Sequence, residues 1–92
     1  MIKRKITKKG AVKVTFALSL EAAPEATSVA GDFNDWDPLA HPLKKRSNDT
    51  RSASVKLAPG DVVEFRYLAD GGVWFCDDEV EVTAGGNNIL TA

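Results

Sequence analysis

The stretch Val12-Lys13-Val14-Thr15-Phe16-Ala17-Leu18-Ser19-Leu20 alternates large apolar side chains with small or polar ones. A period of two puts Val12, Val14, Phe16, Leu18 and Leu20 on one side of an extended chain and Lys13, Thr15, Ala17 and Ser19 on the other. That pattern predicts a strand with one buried and one wet face. Two more stretches repeat it: Ala53, Val55 and Leu57 against Ser52, Ser54 and Lys56, and Val63, Phe65 and Tyr67 against Glu64 and Arg66. Shorter runs, Thr27 to Gly31, Val73 to Cys76, Glu79 to Val82 and Asn88 to Leu90, read as additional strands. Turn signals lie between them at Ala23-Pro24, Asp37-Pro38, Ser47-Asn48-Asp49, Pro59-Gly60-Asp61, Asp70-Gly71-Gly72 and Gly85-Gly86-Asn87. Roughly seven or eight short strands spaced in this way predict an all-β fold, an antiparallel β-sandwich of immunoglobulin-like character. The one helical candidate, Glu21 to Ala26, is limited to a turn by Pro24.

A chain of 92 residues, 43% of them apolar, suffices for one compact core. The expected organisation is a single domain over residues 1–92, with 1–10 a basic N-terminal strand or arm. A domain this small leaves little room for a deep cleft and favours function on a surface patch. The lone Cys76 forms no internal disulfide, and no Cys/His pair has metal-ligand spacing. A secreted disulfide scaffold and a zinc module are therefore excluded, and a reducing, cytoplasmic location is expected. The opening Met-Ile-Lys-Arg-Lys resembles the start of a signal peptide, but the apolar stretch after it is interrupted by Lys13, Thr15 and Ser19. No stretch is long and apolar enough for a membrane-spanning helix.

The formal net charge is −1, from 12 Lys and Arg against 13 Asp and Glu. Lys3, Arg4, Lys5, Lys8, Lys9 and Lys13 carry half of the positive charge, so residues 14–92 hold a net of −7. Such clustered cations suit nucleic acid, through release of phosphate counterions. They equally suit a solvated strand edge that discourages pairing with other chains. The second reading is adopted, and neither nucleic acid nor membrane is an expected partner.

Catalysis lacks its residues. The single histidine, His41, sits beside Pro42, and no Gly-x-Ser-x-Gly elbow presents a nucleophile. Asp77, Asp78, Glu79 and Glu81 lie on one short segment, which is the pattern of a solvated rim rather than of two carboxyls facing each other across a cleft. Asp32, Asn34, Asp35 and Asp37 resemble a calcium loop, but Trp36 occupies a ligand position and neither the central Gly nor the closing Glu follows. No metal, no cofactor and no catalytic residue is expected.

The tryptophans carry more information. Trp36 lies in a polar loop, Asp32-Phe33-Asn34-Asp35-Trp36-Asp37-Pro38, and Trp74 follows a glycine-rich turn. Each has two readings: a plug at the end of the core, or a flat platform at the surface. An indole among Asn, Arg and Asp side chains suits a sugar ring, which offers an apolar face to stack on and hydroxyls to hydrogen-bond.

Val29-Ala30-Gly31-Asp32-Phe33-Asn34-Asp35-Trp36-Asp37, followed by His41-Pro42-Leu43, resembles the opening motif of the family 48 carbohydrate-binding modules. That group includes the N-terminal early-set domains of isoamylase and glycogen branching enzyme and the glycogen-binding domain of the AMP-activated protein kinase β subunit. Phe65-Arg66-Tyr67-Leu68-Ala69-Asp70-Gly71-Gly72-Val73-Trp74 and Asn87-Asn88-Ile89-Leu90 are similar to the later motifs in order and spacing. The resemblance runs from about Val12 to Leu90. It implies an early-set sandwich that binds α-1,4-glucan such as glycogen. By the same resemblance Trp36 and Trp74 would stack on glucose rings, and Arg66 and Asn87 would bind hydroxyls. Two departures stand out. Thr83 falls where kinase-type members carry a Leu that enters the curve of the glucan, and one extra residue precedes Trp74, which allows it to emerge on either side of the sheet.

Other roles for the same residues are structural. Arg66 is then a surface ion-pair partner of Glu64, Asn87 a turn residue, and Gly31, Gly71 and Gly72 turn glycines with positive φ. Phe33 and Phe65 are expected in the core, and Cys76 as a small buried hydrophobe. The expected function is a non-catalytic α-glucan-binding module. The alternative is an early-set interaction or regulatory domain that docks a glycan-metabolising enzyme.

Overall fold

The computed structural model describes residues 2–92; Met1, the first residue of the expected basic segment, lies outside the described residues. The strands among them are β1 (Ile2–Ile6), β2 (Val12–Ser19), β3 (Thr27–Gly31), β4 (Lys44–Lys45), β5 (Thr50–Leu57), β6 (Val62–Ala69), β7 (Val73–Phe75) and β8 (Asn88–Thr91), with a 3-10 turn at Asp32–Asn34 between β3 and β4. Two antiparallel sheets result. The first has the order β1-β2-β5-β4, and the second β3-β6-β7 with β8 also paired to β6. This is the strand order of an immunoglobulin constant-type sandwich, as the alternation predicted. Two short strands share the place of the last one: β8 pairs with Val62–Phe65 and β7 with Tyr67–Ala69.

The alternating positions meet between the sheets. Val12, Val14, Phe16 and Leu18 of β2 and Ala53, Val55 and Leu57 of β5 face Val29 of β3, Val63, Phe65 and Tyr67 of β6 and Leu90 of β8. Phe16 is at the centre, edge-on to Phe65 with ring centroids 4.9 Å apart and stacked on Phe33 at 5.5 Å. Each fully buried aromatic of this kind stabilises the fold by about 1.5–3 kcal/mol relative to an exposed one. Phe33 thereby ties the loop that carries Trp36 to the core.

Three local expectations are corrected. β2 stops at Ser19 rather than including Leu20, because the Ser19 hydroxyl and carbonyl accept the N–H groups of Ala22 and Ala23 and turn the chain. Glu79–Val82 is not a strand; only Val82 forms a bridge, with Asn88. The cause is the fully buried Asn88, whose amide donates to the carbonyls of Asp77, Val80 and Glu81 at 2.9, 3.2 and 3.4 Å, and whose oxygen accepts the Asp77 N–H at 2.6 Å. A chain wound around one side chain cannot also lie flat against a neighbouring strand. Gly31, finally, is extended, with φ −170°. It is required for proximity instead, since a Cβ there would run into the Glu64 carbonyl oxygen and the Phe33 ring.

Candidate functional site

The outward side of β6 organises the site. Because Val63, Phe65 and Tyr67 point inward, Glu64, Arg66 and Leu68 point away from the core. Trp74 stands directly across from Leu68, and therefore on the same outer face as Arg66. The longer turn before it, with Gly71 and Gly72 both at positive φ, leaves Trp74 45% exposed on that face.

Trp36 reaches the same face from the loop after β3. The 3-10 turn is followed by two residues in the left-handed region, Asp35 (φ 55°) and Trp36 (φ 58°), a conformation that Asp tolerates and that is uncommon for a side chain as bulky as Trp. Local bonds hold them. The Trp36 backbone N–H donates to the Gly31 carbonyl at 2.9 Å, and the indole N–H donates to Asp32 at 3.3 Å. The other oxygen of Asp32 accepts the backbone N–H of Glu64 at 3.1 Å, which fastens the loop to β6. Asn34 closes it from below: its oxygen accepts the Gly31 N–H, and its amide donates to the Val29 carbonyl and to His41 Nδ1 at 2.9 Å.

Asn87 comes from the turn before β8. Its amide donates to Glu64 at 3.3 Å, and the same Glu64 oxygen accepts the Thr83 hydroxyl at 3.4 Å. Arg66 donates from Nη2 to the Gly85 carbonyl at 3.4 Å, and its Nε is buried with no acceptor among the described residues. Gly86 has φ 89°, left-handed backbone that favours glycine, and a Cβ there would meet the tip of the Arg66 guanidinium at 2.8 Å, which would have to shift. Trp36, Arg66, Trp74 and Asn87 together line one open depression of about 360 Å³. Two indoles, a guanidinium and a carboxamide at a shallow surface offer flat apolar area and hydrogen-bond donors without a deep cleft.

The four residues named from the sequence are thus brought together. Glu64 and Asp32 emerge as their supports; Glu64 was expected only as an ion-pair partner of Arg66, whereas it orients Asn87. The period-two pattern of β6 already puts Glu64 beside Arg66 on one face, but its bond to Asn87 requires β8 to lie alongside.

The remaining candidates have structural work. The oxygens of Asp32, Asn34 and Asp37 accept N–H groups of their own loop and of Glu64. Asp77 is not part of a solvated rim but only 4% exposed, and it accepts the Tyr67 hydroxyl at 3.3 Å. Burial first, and then the adjacent Asp77 carboxylate, push the Tyr67 phenol well above its ordinary range. Cys76 is half-buried rather than buried, and its thiol donates to the Gly86 carbonyl at 3.2 Å. Among the described residues no helix is long and apolar enough to cross a membrane.

The chain matches no protein-family model. It is similar to an amylopullulanase of Thermoanaerobacterium thermosulfurigenes, 34% identical over 83 residues that make up 87% of this chain and 4% of the relative. It is also similar to the 1,4-alpha-glucan branching enzyme GlgB of Deinococcus radiodurans, 41% identical over 69 residues, 72% of this chain and 9% of that enzyme. A third relative, the ULP1-interacting protein 4 of Saccharomyces cerevisiae, is 29% identical over 91 residues, 87% of this chain and 29% of that protein. The chain therefore spans a small part of the curated relatives it matches. In the two relatives named as enzymes, the similarity is to a short segment that leaves more than nine-tenths of the enzyme unmatched.

Proposed function

We propose that residues 1–92 form a single non-catalytic module that binds α-1,4-glucan, of the kind found among the family 48 carbohydrate-binding modules. In this reading Trp36 and Trp74 stack on glucose rings, and Arg66 and Asn87 bind hydroxyls. The observation that carries it is the convergence of these four residues, from four separate segments, on one open depression. An exposed indole supports stacking on a sugar because its flat face is apolar while its rim can stay hydrated. The short segments matched in an amylopullulanase and in a branching enzyme support an accessory rather than catalytic role. The lone cysteine supports a reducing, cytoplasmic setting.

A second reading, docking of a glycan-metabolising enzyme through the same face, draws on Thr83, which leaves no Leu to enter a glucan curve. Titration with maltoheptaose or β-cyclodextrin, followed by NMR, distinguishes the two. Glucan binding shifts the Trp36 and Trp74 indole resonances and leaves β2 unmoved. No shift at millimolar oligosaccharide overturns the glucan reading in favour of the docking one.

A further inference from the structure

The opposite side of the sandwich has a character of its own. Lys5 of β1 stands directly across from Lys13 of β2, and Lys13 directly across from Lys56 of β5. In the next row of the same face Lys3, Thr15 and Ser54 are abreast, and beyond it Ser52 faces Lys44 of β4. The five lysines are exposed. The four strands of this sheet contain no Asp or Glu. Like charges directly across a strand pair destabilise it. Lysine on an edge strand has the purpose of blocking further pairing, which accounts for β1 but not for Lys13 and Lys56, since β2 and β5 are interior.

The β4 end of this face has a depression of about 230 Å³ lined by His41, Lys44, Arg46, Ser52 and Ser54 among others. Arg46 is held in place there, donating from Nε to the Ser52 hydroxyl at 2.8 Å and from Nη2 to the Ser52 carbonyl at 3.3 Å. The Ser52 hydroxyl accepts from Arg46 and the Ser54 hydroxyl is paired with Thr15 at 2.8 Å, so the guanidinium is fixed in orientation, and its remaining N–H groups beside Lys44 suit a carboxylate.

We propose that the outer face of the β1-β2-β5-β4 sheet docks a carboxylate-rich surface of another protein, with the depression at the β4 end receiving one Asp or Glu side chain. Charge complementarity selects the partner's sign, and two further features select protein over nucleic acid. The outward positions of these strands carry no aromatic ring on which a base could stack, and a four-stranded sheet is wider than the two-stranded ribbon that a duplex major groove admits. The site is independent of the glucan-binding reading, since Trp74 lies on the other sheet and Trp36 in the loop that is fastened to it.

The test uses poly-glutamate as probe, with single-stranded oligothymidylate of equal charge as comparison, each titrated into the intact protein and followed by NMR. Poly-glutamate is expected to shift Lys13, Thr15, Lys44, Ser54 and Lys56, to leave the turn lysines Lys8 and Lys9 unmoved, and to lose at least about tenfold in affinity between roughly 50 and 500 mM salt. The double variant Lys13→Gln/Lys56→Gln and, separately, Arg46→Gln are expected to weaken poly-glutamate at least about fivefold. Both alter exposed side chains, and a thermal melt unchanged from the parent verifies that they fold. Absence of shifts on this face overturns the proposal. Tighter binding of oligothymidylate than of poly-glutamate at this face overturns it in favour of nucleic acid, and self-association that the double variant abolishes reassigns the face to a second copy of the chain.

Discussion

The indole N–H of Trp36 donates to Asp32 at 3.3 Å, four residues back along a turn that carries the tryptophan through left-handed backbone. Asp32 also accepts the Glu64 N–H, so one carboxylate both orients the indole and fastens its loop to β6. Asp32→Ala is therefore expected to weaken maltoheptaose binding several-fold by loosening the platform, and to cost about 1–2 kcal/mol of stability through the lost bonds. Titration and denaturant unfolding on the same variant check both.

On the proposed reading Trp36 contributes to binding far more than to folding, since its ring lies at the depression and not in the core cluster. Trp36→Ala is expected to abolish glucan binding while changing the unfolding free energy by less than about 1.5 kcal/mol, against about 3–5 kcal/mol for truncating a buried aromatic such as Phe16. A large loss of stability with binding intact would return Trp36 to the core.

Two neighbouring asparagines should behave oppositely. Asn88→Ala strands the buried N–H and carbonyl of Asp77 and the part-buried carbonyls of Val80 and Glu81, and is expected to cost about 3 kcal/mol, read by denaturant unfolding. Asn87→Ala removes one half-exposed amide bonded to Glu64, and is expected to reduce glucan affinity with less than about 1 kcal/mol of destabilisation.

Tyr67 is the one tyrosine of the chain, so its titration can be followed alone. Its folded-state pKa is raised by burial and by Asp77, so the proton is held more tightly in the folded state than in the unfolded one, where the group titrates near about 10. The associated stability is fully present below that value and is lost as pH rises above it, because only the unfolded state gives up the proton. Tyrosinate absorbance is expected to appear together with loss of circular dichroism, not before it. A phenol that ionises while the fold stays intact would contradict the burial.

Legibility in the sequence followed the range of the interaction. β2, β5 and β6 were visible because alternation is local, and Trp36, Arg66, Trp74 and Asn87 because they sit in recognisable short motifs. Glu79–Val82 misled because its composition permits a strand, whereas Asn88, several residues further on, bends it into a turn. Gly31 misled in the same way: its reason is the Glu64 carbonyl on another strand, and a turn glycine and a close-approach glycine look alike until the strands pair. Glu64 and Asp32 were legible as residues but not as supports, since each acts across a pairing that alternation does not specify.

The depression takes one wall from the loop after β3 and another from the turn before β8, and both are carried by β6. Its competence therefore depends on the closure of long loops, whose entropic cost must be met before the walls meet. A chain that has packed β2 and β5 against β3 and β6 but has not yet seated β8 would possess much of the core and lack the wall that carries Asn87. On the glucan-binding reading, recovery of ligand binding during refolding is expected to lag behind burial of Phe16, so that a sugar titration would serve as a clock for the last step of assembly.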